Sequence, residues 1–136
     1  MNVQIFGFRD CQETRKALRF FSERRVAVHF VDMDEKPATR GELRRFAERL
    51  GAASMIDREG RRFRDLGLRV AGDSPERLIE RALVEPRLLR TPLVRGGRQV
   101  AVGGRPDTWQ EWVDAERRAP ATPPAASGEP RSRPAR

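Results

Sequence analysis

The apolar residues of this 136-residue chain fall in short groups whose spacing changes from segment to segment, and the spacing predicts the elements. Asn2 to Gly7 carries Val3, Ile5 and Phe6 and has a strand's composition. From Thr14 onward Ala17, Leu18 and Phe21 follow at three, four and seven positions, which marks one face of a helix from about Cys11 to Arg24. Val26-Ala27-Val28-His29-Phe30-Val31 is then almost continuously apolar and rich in β-branched residues, the pattern of a strand covered on both faces. These segments form a βαβ unit, which predicts two parallel strands joined by a right-handed crossover.

A second helix opens at Ala38-Thr39-Arg40-Gly41-Glu42, repeats Leu43, Phe46, Ala47 and Leu50 at helical spacing, and stops at Gly51. From Ala52 to Gly72 the pattern weakens into isolated apolar anchors, read as a short helix and loops over the active end. Ser74-Pro75-Glu76 has the form of an N-cap followed by proline, and Leu78, Ile79, Ala82 and Leu83 give that helix an apolar face ending before Pro86. Leu88–Val94, interrupted by Thr91-Pro92, and Gln99–Val102 flank Arg95-Gly96-Gly97-Arg98 as a β-hairpin. A last helix carries Trp109, Trp112 and Val113 on one face. The order β-α-β, helices, β-β-α is the plan of an α/β, thioredoxin-like domain over residues 1–118: a four-stranded mixed sheet flanked by helices, with an inserted helical segment. Residues 119–136, rich in proline and alanine, read as a disordered tail.

Composition narrows the classes. Hydrophobic content is 38% and charged content 35%, compatible with one ordinary domain. No apolar run reaches the roughly 18 residues of a membrane span, and no secretory leader is evident, so a cytoplasmic protein without membrane contact is expected. The lone cysteine, Cys11, excludes an intrachain disulfide. The formal charge is +8, but the positive residues are nearly all arginines spread along the chain, which points to a solvated surface, with only unspecific attraction to phosphate polymers, rather than to a nucleic-acid partner.

Candidate chemistry centres on that cysteine. At a helix N-terminus the unpaired backbone N–H groups and the helix dipole favour a thiolate or a bound oxyanion, and Arg9, Arg15 and Lys16 add to the effect. Cys11 is therefore expected to be a nucleophile of lowered pKa. Thr14 is placed either to cap the helix or to donate to the sulfur. His29, the only histidine, is a conceivable general base, but an imidazole in a strand interior is more often a packing residue.

Three motifs in order resemble the ArsC-type arsenate reductases and Spx-like proteins of the thioredoxin superfamily. They are Cys11-Gln12-Glu13-Thr14-Arg15-Lys16-Ala17; Ile56-Asp57-Arg58-Glu59-Gly60 with Phe63-Arg64-Asp65-Leu66-Gly67; and Leu89-Arg90-Thr91-Pro92-Leu93-Val94 before Gly97-Arg98-Gln99-Val100. The resemblance implies a cysteine thiolate that attacks arsenate, arginines that hold the oxyanion, and glutathione as co-substrate with glutaredoxin as partner, no cofactor or metal being bound. Carried over by position, Cys11 is the nucleophile, and Arg58, Arg90 and Arg105 are the anion-holding candidates beside Thr14 and Arg15. Thr91 stands where the family has arginine, and a one-residue slip along an extended strand would turn Arg90 to the opposite face, which weighs against arsenate. With Thr14 in place of a second cysteine, any oxidised form must involve an external thiol. The alternatives are an Spx-like regulator acting on RNA polymerase, and a monothiol glutaredoxin-like reductase that does not act on arsenate.

Overall fold

The computed structural model describes residues 1–68 and 72–118; the expected tail lies outside the described residues. Four strands, β1 (Asn2–Gly7), β2 (Ala27–Asp32), β3 (Leu93–Gly96) and β4 (Gln99–Val102), form one mixed sheet in the order β2-β1-β3-β4. β1 is parallel to β2 and antiparallel to β3, and β3 is antiparallel to β4. The helices are α1 (Gln12–Glu23), α2 (Arg40–Leu50), α3 (Arg61–Asp65), α4 (Pro75–Val84) and α5 (Pro106–Arg118). This is the thioredoxin-like plan, with α2, α3 and α4 inserted between the βαβ unit and the hairpin.

Strand alternation divides the core into two layers. Val3, Ile5, Val94 and Ala101 face α1 and α5, where Ala17, Phe21, Trp109, Trp112 and Val113 cover them. Phe6, Leu93 and Val102 face the other way, onto Leu43 and Phe46 of α2 and Leu78 and Ile79 of α4. The register makes both layers continuous, because Ile5 pairs with Val94 and Val94 with Ala101, while Phe6 pairs with Leu93 and Leu93 with Val102.

The expected Gly51 stop and Ser74 cap are present, and a capping box that the sequence reading did not name opens α2. The Thr39 hydroxyl accepts from the Glu42 amide while the Glu42 carboxylate accepts from the Thr39 amide, and Gly51 ends α2 at φ 83°. Ser74 caps α4 ahead of Pro75. No helix among the described residues is long and apolar enough to cross a membrane.

Two local expectations are corrected. β2 is not covered on both faces: Ala27 and His29 are exposed, Val28 and Phe30 are half-buried, and only Val31 is buried. It is an edge strand, and the helices pack over the central strands instead. The hairpin turn is also shorter than the sequence indicated. Arg95 and Gly96 belong to β3, Leu88 closes a short 3-10 turn (Pro86–Leu88), and the connection is Gly97-Arg98 alone, with Gly97 at φ 62°.

Gly7 ends β1 where α1 presses closest. A Cβ there would collide with the Thr14 hydroxyl and lie 2.6 Å from its methyl carbon. Gly7→Ala is therefore expected to lower stability by about 1–3 kcal/mol through overpacking. Urea unfolding checks this; a midpoint equal to wild type would show that the α1 terminus shifts freely.

Candidate active site

The site is built at the C-terminal end of β1. Phe8-Arg9-Asp10-Cys11 is a tight turn in which the Cys11 amide donates to the Phe8 carbonyl at 3.0 Å, and the Cys11 carbonyl accepts from the Arg15 amide at 3.1 Å to start α1. Cys11 is thus the N-cap, extended at φ −86° and ψ 120°, and half-exposed. Arg15 fastens the turn by donating to the Arg9 carbonyl at 2.8 Å.

Facing the turn is the segment that leads into β3. The Leu89 backbone bridges Ile56, the Arg90 amide donates to the Met55 carbonyl at 2.7 Å, and the Pro92 carbonyl accepts from the Gly103 amide at 2.8 Å. Tied on both sides, this segment holds the Thr91 hydroxyl where it donates to the Cys11 sulfur at 3.0 Å; the Thr91-Pro92 peptide is cis. The thiol in turn points at the Thr91 carbonyl, 3.8 Å away.

Burial works against ionising Cys11 and is the largest single influence on it. Four donors together outweigh it: the Thr14 hydroxyl, the Thr91 hydroxyl, and the backbone amides of Thr14 and Glu13 in the first turn of α1. The thiol pKa is consequently lowered. Thr14 is wholly buried, and its hydroxyl meets no acceptor at good hydrogen-bond geometry, although it lies close enough to favour the thiolate.

The sulfur opens onto a cleft of about 460 Å³. Its walls carry Arg87 and Arg90 together with three carboxylates, Asp10, Glu13 and Asp57. Arg87 is stacked over the Phe8 ring at 4.1 Å and bonded to Asp10 at 3.2 Å and Asp34 at 3.0 Å, so it braces the turn that carries Cys11. Glu13 is engaged by Lys16 at 3.4 Å.

The candidate residues separate clearly. Cys11 and Arg90 line the cleft, and Thr14 lies beneath the sulfur. The alternation that would turn Arg90 away does not apply, because β3 begins only at Leu93 and residues 90–92 are not extended strand. Arg58 is exposed and leans toward the Phe63 ring at 5.8 Å; its neighbour Asp57 is the one in the cleft. Arg105 is exposed at the start of α5, and the cleft wall there is Gly103 and Gly104. Arg15 supports the turn from outside. His29 is on the exposed edge of β2, paired with Gln4, and is not part of the cleft. Sequence reasoning missed Thr91 as a donor and Arg87 as a brace. A hydroxyl beside a proline that follows an apolar run was the available signal for Thr91; nothing in the sequence marks Arg87.

The profile of the ArsC family matches residues 6–112. The chain belongs to the ArsC family. Within it, the chain is 29% identical over 104 residues to the arsenate reductase of Neisseria meningitidis, covering 74% of this chain and 89% of that protein. It is 26% identical over 120 residues to the global transcriptional regulator Spx 2 of Oceanobacillus iheyensis, covering 87% and 88% respectively. Among solved structures, the YFFB protein superposes with a TM-score of 0.74 at 28% identity over 80% of this chain and 96% of that one. An arsenate reductase from Vibrio cholerae superposes at 0.73 with 23% identity, over 82% and 97%, which bears on the fold alone.

Proposed function

We propose that this ArsC-family chain is a monothiol reductase in which Cys11 is the nucleophile and an external thiol of the glutathione class completes the cycle. The observation that carries the reading is the Thr91 hydroxyl at 3.0 Å from a lone, half-exposed sulfur that caps α1 and opens onto the cleft. The Cys11 thiolate attacks the glutathione sulfur of a mixed disulfide, and the other sulfur leaves as a thiolate and takes a proton. A second glutathione thiolate then attacks the Cys11–glutathione disulfide, which releases oxidised glutathione and restores Cys11. In sum one mixed disulfide and one glutathione thiol become one released thiol and one oxidised glutathione, so no second cysteine is required. Glutaredoxin is the natural recycling partner.

Mixed disulfides are favoured over arsenate by the cleft's charge. A tetrahedral oxyanion needs several fixed guanidinium donors. Of Arg58, Arg90 and Arg105 only Arg90 lines the cleft, Arg87 is already engaged by Asp10 and Asp34, and three carboxylates share the walls. Arsenate stands as the second reading, supported by Arg90 and by the N. meningitidis relative.

The test is NADPH oxidation coupled through glutathione, glutaredoxin and glutathione reductase, with either a small glutathione mixed disulfide or arsenate as substrate. Turnover with the disulfide alone is the expected result. Arsenate-dependent turnover would move the assignment to the second reading. Turnover with neither, together with capture of RNA polymerase by the purified protein, would replace both with a regulator, in line with the Spx 2 relative.

A further inference from the structure

We propose that the face at the opposite end of the sheet from Cys11 binds the phosphate backbone of a nucleic-acid duplex. The register fixes the location: Arg95 pairs with Gln4 and Gly96 with Val3, so the hairpin tip lies at the start of β1, whereas Cys11 follows its end. There α2 packs against β4, and Arg45 and Arg49 from the helix meet Arg95 and Arg98 from the hairpin around one groove of about 320 Å³.

Four guanidinium groups stand against one carboxylate, Glu48. Other arginines of the same region are paired, Arg40 with Glu80, Arg44 with Glu76 and Arg81 with Asp73. Among the described residues none of Arg45, Arg49, Arg95 and Arg98 forms an ion pair; Arg95, half-buried, reaches only the Gly97 carbonyl at 3.4 Å, and Glu48 is the one acid on the groove. Arg45 and Arg49 are also four residues apart on one helix, a like-charge spacing that destabilises a helix unless an anion lies between them. In sequence these positions are scattered; the fold gathers them.

The chemistry of the groove selects its occupant. Arginine forks suit phosphate oxygens, and several at once suit a repeating phosphate chain. No aromatic side chain lines the groove, so splayed single-stranded bases have nothing to stack on. A duplex held by its backbone, without base readout, fits these groups.

The experiment is fluorescence anisotropy with a short fluorescein-labelled DNA duplex of mixed sequence, titrated with the full chain. Four phosphate contacts predict a slope of about −3.6 in log K against log salt, a loss of roughly 150-fold between about 50 and 200 mM. Arg45→Gln/Arg49→Gln/Arg98→Gln should reduce that slope to about −1, and Arg98→Gln alone, in the exposed turn, should reduce it by about one unit. Arg19→Gln/Arg61→Gln/Arg64→Gln removes the same charge from exposed sites outside the groove and should leave the slope unchanged. Absence of binding at about 50 mM salt, or equal weakening by the two triple variants, would overturn the proposal. Cys11→Ser should bind the duplex as wild type does, so this outcome is independent of the thiol chemistry.

Discussion

Cys11→Ser is expected to lower turnover at least about a thousandfold, the scale on which removal of a covalent nucleophile reads out. The chain has no other thiol that could take over. Serine keeps the size and the N-cap geometry, so the fold should persist, but its hydroxyl is far less acidic than a thiol, whereas the lowered pKa of Cys11 raises its thiolate fraction. The accompanying measurement is mass spectrometry after treatment with oxidised glutathione. Wild type should take up one glutathione per chain and release it on addition of reduced glutathione, while the serine variant should take up none. Residual turnover in the serine variant within tenfold of wild type would show that the chemistry belongs to the assay's own thiols.

Much of this site could be read from the chain before the fold was known, and the parts that could not share a cause. The strand-turn-helix that presents Cys11 is local: alternation in β1 and the three-four spacing of α1 leave the cysteine at the helix start whatever the rest does. The caps of α2 and α4 are local too, and appear where Thr39, Glu42 and Ser74 place them. What failed depends on neighbours far along the chain. Whether β2 is covered on both faces depends on strand order, and an apolar run reads the same at an edge as at the centre. Arg90 reaches the cleft because residues 90–92 are pinned between Met55 and Gly103, contacts that no periodicity encodes. The bond from Thr91 to Cys11 spans 80 residues, and the reach of Arg87 to Asp10 spans 77. The same reason hides the basic groove, assembled from positions that look like scattered surface charge.

Replacing both threonines by valine, Thr14→Val/Thr91→Val, is expected to slow alkylation of Cys11 at neutral pH by roughly tenfold or more. A hydrogen bond to a charged group is worth about 1.5–3 kcal/mol, and both hydroxyls favour the thiolate. With them gone, burial acts against a reduced set of donors, the pKa rises and the thiolate fraction falls. A less stabilised thiolate is intrinsically more nucleophilic, with a Brønsted slope of about 0.4–0.5, so about half of the loss in logarithmic terms is returned. The loss wins at neutral pH, and the order should reverse in alkaline solution, where both are fully ionised and the variant's less stabilised thiolate reacts faster.

Stability should move the other way at Thr14. A fully buried hydroxyl without a good acceptor costs about 1–3 kcal/mol, so Thr14→Val alone, which keeps the shape, is expected to raise the urea midpoint while it slows the thiol. The pH dependence separates the two contributions. Because the folded pKa of Cys11 lies below its unfolded value, the thiolate contributes stability fully above the unfolded value of about 8.5, and that contribution is lost as pH falls through the folded pKa. In wild type the urea midpoint should therefore gain an increment between those two values, and in the double variant the increment should shrink. A Thr14→Val protein that is both less stable and equally reactive would mean that the hydroxyl serves packing alone, leaving Thr91 and the helix amides as the groups that set the thiol.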